Sequence, residues 1–276
     1  MKHEYSLAHL TAVVLPPVDL IEVAAKTGYD YVSLRLSRVT DQEPLYPLIT
    51  SKVAMAATKA RLAATGVRVW DVELARMDPT HDAQSYLPML EATAELGAHH
   101  VICQLPDPDR ARAHARFGEL CDLAKPLGID ISLEFPWWTE TGNLETAVTA
   151  LNAIERSNAA ILVDMLHFFR SKSSLEQLRK LPREWFKFAH VCDGLATHPQ
   201  DMAATLHEAR SDRLFPGDGE FGVREILACL PDPITYSLEI PGDALAAEIG
   251  YEEYARRALQ TAKRNLDSAS PILKAA

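Results

Sequence analysis

Residues 161–170 read ILVDMLHFFR. Ile161, Leu162 and Val163 form an apolar run that ends on Asp164, and His167 follows three positions later inside a second apolar patch. Such a run reads as a strand buried on both faces, where an unpaired carboxylate costs several kcal/mol. Asp164 therefore needs a partner: either an ordinary core contact, His167 among them, or a cation at the end of the strand.

The same kind of run recurs along the chain. Short β-rich segments are expected at Ser6–Val14, Tyr29–Leu36, Val67–Glu73, His99–Gln104, Ile129–Glu134, Ala159–Asp164, Phe186–Val191 and Ile234–Glu239. Between them lie Ala-, Leu- and Glu-rich stretches with helical spacing, such as VDLIEVAAKT, AQSYLPMLEATAELG and YEEYARRALQTAKRNL. Gly28, Gly66, Gly97 and Gly128 each stand between a helical stretch and the next strand, where a left-handed helix stop belongs. Eight strands alternating with helices, without a linker, predict an α/β fold: a closed (β/α)8 TIM barrel, one domain over 1–276. The alternative, an open doubly wound sheet, is disfavoured because no GxGxxG follows the first strand. The longest stretch without a clear element is Gly194–Gly222, and connections of that length are usually functional.

Composition narrows the function. The chain has 276 residues, and 28 Lys and Arg against 38 Asp and Glu give a net charge of −10. That balance argues against a nucleic-acid partner, which demands a basic face. The four scattered cysteines read as reduced thiols of a cytoplasmic protein. The opening MKHEYSLAHLTAVVLPP suits a first strand better than an export signal, and no apolar run reaches membrane-spanning length. Oligomeric state is left open, a homo-oligomer being compatible with the sequence.

Barrel active sites lie over the C-terminal ends of the strands. There the fifth to eighth strands present Glu134, Asp164, His190 and Glu239. Three carboxylates and one imidazole from consecutive strands make a site for a divalent metal. The oxygen-rich set favours Mn²⁺, with Mg²⁺, Co²⁺ or Zn²⁺ compatible. Without a cation, the three carboxylates would repel one another.

Five fragments in order then resemble the xylose isomerase-like TIM barrels, and within them the ketose 3-epimerases and related sugar isomerases. They are EFPWWTE, with Glu134 and Glu140; DMLH, with Asp164 and His167; HVCD, with His190; RLFPGDG, with Arg213; and SLEIP, with Glu239. The loop from His190 to Arg213 is longer than in the compact epimerases, which leaves Arg210 as a substitute for Arg213. The resemblance implies that His167 and Arg213 hold the substrate carbonyl oxygen and Glu140 a terminal hydroxyl. Trp137 and Trp138, in the loop after the fifth strand, are placed to stack on a sugar face.

On this reading the metal accepts two oxygens of a hydroxyketone and stabilises the enediolate formed when an α-proton leaves. Glu134 and Glu239 flank the cluster as an acid/base pair: two bases on opposite faces epimerise, and one shuttling base isomerises. The expected substrate is a small sugar, sugar phosphate or polyol-derived hydroxyketone. The leading alternative is a dehydratase of a keto-inositol or dehydroshikimate-like acid. A DNA-repair endonuclease and a non-catalytic sugar binder are weaker readings, given the charge and the intact ligand set. Arg35, Arg76 and Arg170 also follow strand ends and read first as structural ion pairs, as does Glu73. His9 reads as a satisfied core residue, and His99 and His100 fall at the far end of the barrel.

Overall fold

Among the described residues the apolar runs form nine parallel strands. They are β1 (Tyr5–Leu7), β2 (Tyr31–Arg35), β3 (Arg68–Arg76), β4 (His100–Gln104), β5 (Asp130–Leu133), β6 (Ala159–Ile161), β7 (Val163–Asp164), β8 (Phe188–Val191) and β9 (Thr235–Leu238). The structure, a computed structural model, describes residues 3–267; positions 1–2 and 268–276 of the expected domain lie outside them. The hydrogen-bonded order runs β6-β5-β4-β3-β2-β1-β9-β8-β7. β6 and β7 are two halves of one stave, broken at Leu162, whose N–H still donates to Leu133 O at 2.9 Å. That stave pairs with β5 through β6 and with β8 through β7, and so closes a single-domain TIM barrel.

Helices coat the outside. In the helix Tyr251–Ala262, the buried residues Tyr254, Ala255, Ala258, Leu259 and Ala262 recur at helical spacing and pack on the helix Pro17–Thr27. Gly28 ends the latter at φ +91°, a conformation that a side chain would resist, and so lets the chain turn into β2. Inside the barrel, Leu74, Ile102, Leu162 and Phe188 form a separate apolar layer. Leu74 and Ile102 of that layer also line the cavity at the mouth.

Two expectations are corrected. The first strand is not Ser6–Val14 but stops at Leu7, and His9–Ala12 form a 3-10 turn. Thr11 explains the change: its hydroxyl donates to Leu238 O and accepts from Ile240 N, both at 2.8 Å, which draws the chain across the end of β9. The stretch Gly194–Gly222 is not without an element, since Met202–Ser211 is helical with Asp201 capping it through Ala204 N.

Candidate metal centre

Each of the four strand-end residues reaches the mouth of the barrel. Glu134 follows β5 directly, Asp164 ends β7, His190 lies in β8 and Glu239 follows β9. All four are buried, and one ligand atom from each lies within 4.8 Å of all the others. His190 Nδ1 is 3.3 Å from Glu239 Oε2, 3.5 Å from Glu134 Oε1 and 3.7 Å from Asp164 Oδ2. Neither ring nitrogen of His190 has a hydrogen-bond partner.

A buried imidazole facing three carboxylates without a hydrogen bond to any of them makes a donor set that suits a divalent cation. The residues present therefore fit a metal. Electrostatics agrees. Burial alone would push the His190 imidazole down, but Glu239, with Asp164 and Glu134, raises it well above the usual histidine range. Burial would raise Asp164, yet the Arg213 guanidinium beside it holds it well below the usual carboxylate range. Glu134 is likewise lowered, against its burial, by His190 and His167.

Neighbouring side chains fix the orientation of these groups. Gln104, at the end of β4, donates to Glu134 Oε2 at 2.5 Å, leaving Oε1 on the His190 side. Arg213 Nη1 lies 2.8 Å from Asp164 Oδ2 and 2.9 Å from Glu239 Oε2, and its Nε donates to Ala209 O. Arg213 thus lies on the ligand carboxylates themselves as well as lining the cavity. Asp164 also caps the short helix Met165–Arg170 by accepting from His167 N at 3.1 Å. That cap sets His167 at the cavity wall, where its Nδ1 is buried without a partner and Trp138 meets its ring edge-on at 5.1 Å.

The remaining expected positions divide. Trp138 lines the cavity, whereas Trp137 packs edge-on against Trp138 and His198 and is outside the lining. Glu140 is exposed, on the loop beyond, and also outside the lining. Arg35 is a structural ion pair as expected, with Glu73 at 2.7 Å and Glu43 at 3.0 Å. Arg170 pairs with Glu208 and with the Leu195 carbonyl. His9 is buried and satisfied: its Nδ1 accepts from Arg35 N, so Nε2 carries the proton donated to Leu15 O. Arg76 departs from expectation, having no ion pair among the described residues. Gln104 and Arg210 are both in the cavity wall, although neither is an acid or histidine at a strand end. Gln104 obeys the same strand-end rule and is findable by it once amides are admitted.

Parallel strands closed into a barrel, with polar groups converging over their carboxyl ends, define a TIM barrel with a candidate metal centre. A family model described as xylose isomerase-like TIM barrel matches residues 21–265, and the chain belongs to that family. An inosose isomerase from Bacillus velezensis is 24% identical over 267 residues, covering 90% of each chain. The inosose isomerase of Bacillus subtilis is 30% identical over 153 residues, and there the match spans 53% of this chain and 50% of that protein. The crystal structure of the IOLI protein with a zinc atom bound superposes with a TM-score of 0.79 at 18% identity, covering 98% of this chain and all of that one.

Proposed function

We propose that this chain is a metal-dependent isomerase or epimerase acting on a sugar or polyol-derived hydroxyketone. The observation that carries the proposal is the buried cluster of Glu134, Asp164, His190 and Glu239. The inosose isomerase relatives support the reaction class and the kind of substrate. When bound there, a divalent cation supplies Lewis-acid polarisation of a carbonyl and its neighbouring hydroxyl. Mn²⁺ is the inferred metal because three of the four donors are carboxylates; the zinc in the IOLI structure supports a divalent ion at this kind of site.

The chain's own residues do the rest. Glu134 and Glu239 reach the cluster from β5 and β9, on either side of His190, so one takes the α-proton and the other returns it. Gln104 fixes the rotation of Glu134, and Arg213 that of Glu239. His167 Nδ1, unpartnered at the cavity wall, holds a substrate oxygen, and Trp138 covers that side from water. Of the two tryptophans expected to stack on a sugar face, Trp138 is the one in the cavity wall, and Glu140, exposed and outside that wall, is the group the family resemblance offers for a terminal hydroxyl. The deciding experiment incubates ketoses, ketose phosphates and keto acids with the Mn²⁺-loaded enzyme in deuterated water. Deuterium at the carbon next to the carbonyl, without loss of water, is the expected result; an unsaturated ketone would identify the dehydratase instead, and no exchange in any compound would reject both.

Metal removal gives a second expectation. EDTA abolishes turnover, and Mn²⁺ or Co²⁺ restores it. The pH dependence has a definite sign. In the metal-free protein His190 holds a proton, whereas a ligand imidazole must be neutral. Metal binding therefore expels that proton, and affinity falls about tenfold for each pH unit below the raised His190 value. Asp164 and Glu134, both lowered, are already ionised and add no such cost. Titration of Mn²⁺ in weakly buffered indicator solution reads the proton directly; zero release at pH 7 would contradict this account.

A further inference from the structure

The cavity wall holds four arginines, and two of them are already occupied: Arg35 by Glu73 and Glu43, Arg213 by Asp164 and Glu239. Arg76 and Arg210 form no ion pair among the described residues, and both side chains are only partly exposed. Nε of Arg76 is buried and has no hydrogen-bond partner among the described residues. Arg210 is held below the ordinary arginine value, first by burial; Glu43 acts against this, and the like charges of Arg76 and Arg35 add to it. Two guanidinium groups that repel each other in one wall, with a donor left unmade, are costly unless a third charge joins them.

The placement says what that charge belongs to. The metal ligands come from β5, β7, β8 and β9, whereas Arg76 ends β3 and Arg210 closes the helix Met202–Ser211. One cavity therefore has a cation-binding side and an arginine side. Guanidinium forks match the oxygens of carboxylate and phosphate. Nucleic acid is a poor candidate for the anion, given the net charge of −10.

We propose that Arg76 and Arg210 form an anion subsite, so that the hydroxyketone handled at the metal cluster carries a carboxylate or a phosphate at its other end. The inference rests on the isomerase or epimerase reading for the word hydroxyketone, and on Arg76 and Arg210 alone for the anion. It distinguishes this chain's substrate from an uncharged polyol ketone.

The test uses one carbon skeleton in three forms: D-fructose, D-fructuronate and D-fructose 6-phosphate, which differ at carbon 6 alone. Binding to the Mn²⁺-loaded protein is measured by calorimetry, and Mn²⁺ affinity is measured separately by electron paramagnetic resonance. One of the two anionic ketoses binds at least about tenfold tighter than D-fructose, the gain from a charge-assisted contact. Which of them does so separates carboxylate from phosphate. Arg76→Gln and Arg210→Gln each remove most of that gain while leaving D-fructose and Mn²⁺ affinity unchanged. Equal affinity for all three ketoses, no binding by any, or equal loss for neutral and anionic forms in the variants overturns the subsite. If Mn²⁺ does not bind yet the anionic preference persists and depends on both arginines, the metal reading fails and the subsite stands.

Discussion

Glu239→Gln lowers kcat by about a thousandfold, and Glu134→Gln does the same, with the fold intact. General acid–base contributions of about 10²–10⁴ set the scale. Each replacement keeps shape and volume but removes an ionised oxygen from the cluster, and with it both a metal donor and a proton acceptor. For Glu239 the Oε2 atom is the one that faces both His190 and Arg213, at 3.3 Å and 2.9 Å. For Glu134 the Oε2 atom is held by Gln104, so Oε1 is the oxygen left for the cluster. The loss persists at saturating Mn²⁺, because restoring the metal does not restore the base. Unchanged thermal melting shows that the barrel survives. Either variant keeping more than a tenth of wild-type turnover would count heavily against the two-carboxylate mechanism.

Arg213→Met has the largest expected effect on stability. Arg213 is buried on the buried carboxylates of Asp164 and Glu239, and it also donates to the Ala209 and Glu239 carbonyls. Removing one member of a buried ion pair leaves the other uncompensated and costs about 3–5 kcal/mol. For a domain of this size that lowers Tm by roughly 10 °C in metal-free protein. Saturating Mn²⁺ recovers part of the loss, because a divalent cation at the cluster neutralises the same oxygens. A metal-free Tm within about 2 °C of wild type, or no response to Mn²⁺, would show that Arg213 and the ion do not share those carboxylates.

These expectations trace back unevenly to the sequence. The barrel was legible because each strand is a short apolar run between helical stretches, and Gly stops such as Gly28 mark the borders. The four cluster residues were legible for a related reason: an acid or histidine at the end of an apolar run has little else to do. The early end of β1 was not, since Thr11 bonds to Leu238 and Ile240, more than 220 positions away. Nor was the choice between Trp137 and Trp138, adjacent in sequence. The turn after β5, closed by Thr139 N on Pro136 O at 2.8 Å, accompanies Trp138 in the cavity wall and Trp137 outside it. Arg210 was raised only as a substitute for Arg213. Its helix buries just Thr205 and Ala209, too thin a stripe to announce a helix or to show which arginine faces inward.

The central claim is that one divalent ion joins side chains from four neighbouring staves. Diffraction from crystals soaked in Mn²⁺, collected where manganese scatters anomalously, tests it most directly. The account predicts a single strong peak about 2.2 Å from one atom each of Glu134, Asp164, His190 and Glu239. A map without a peak among those residues, with Arg213 still bonded to Asp164 and Glu239 and the manganese bound elsewhere, would contradict it.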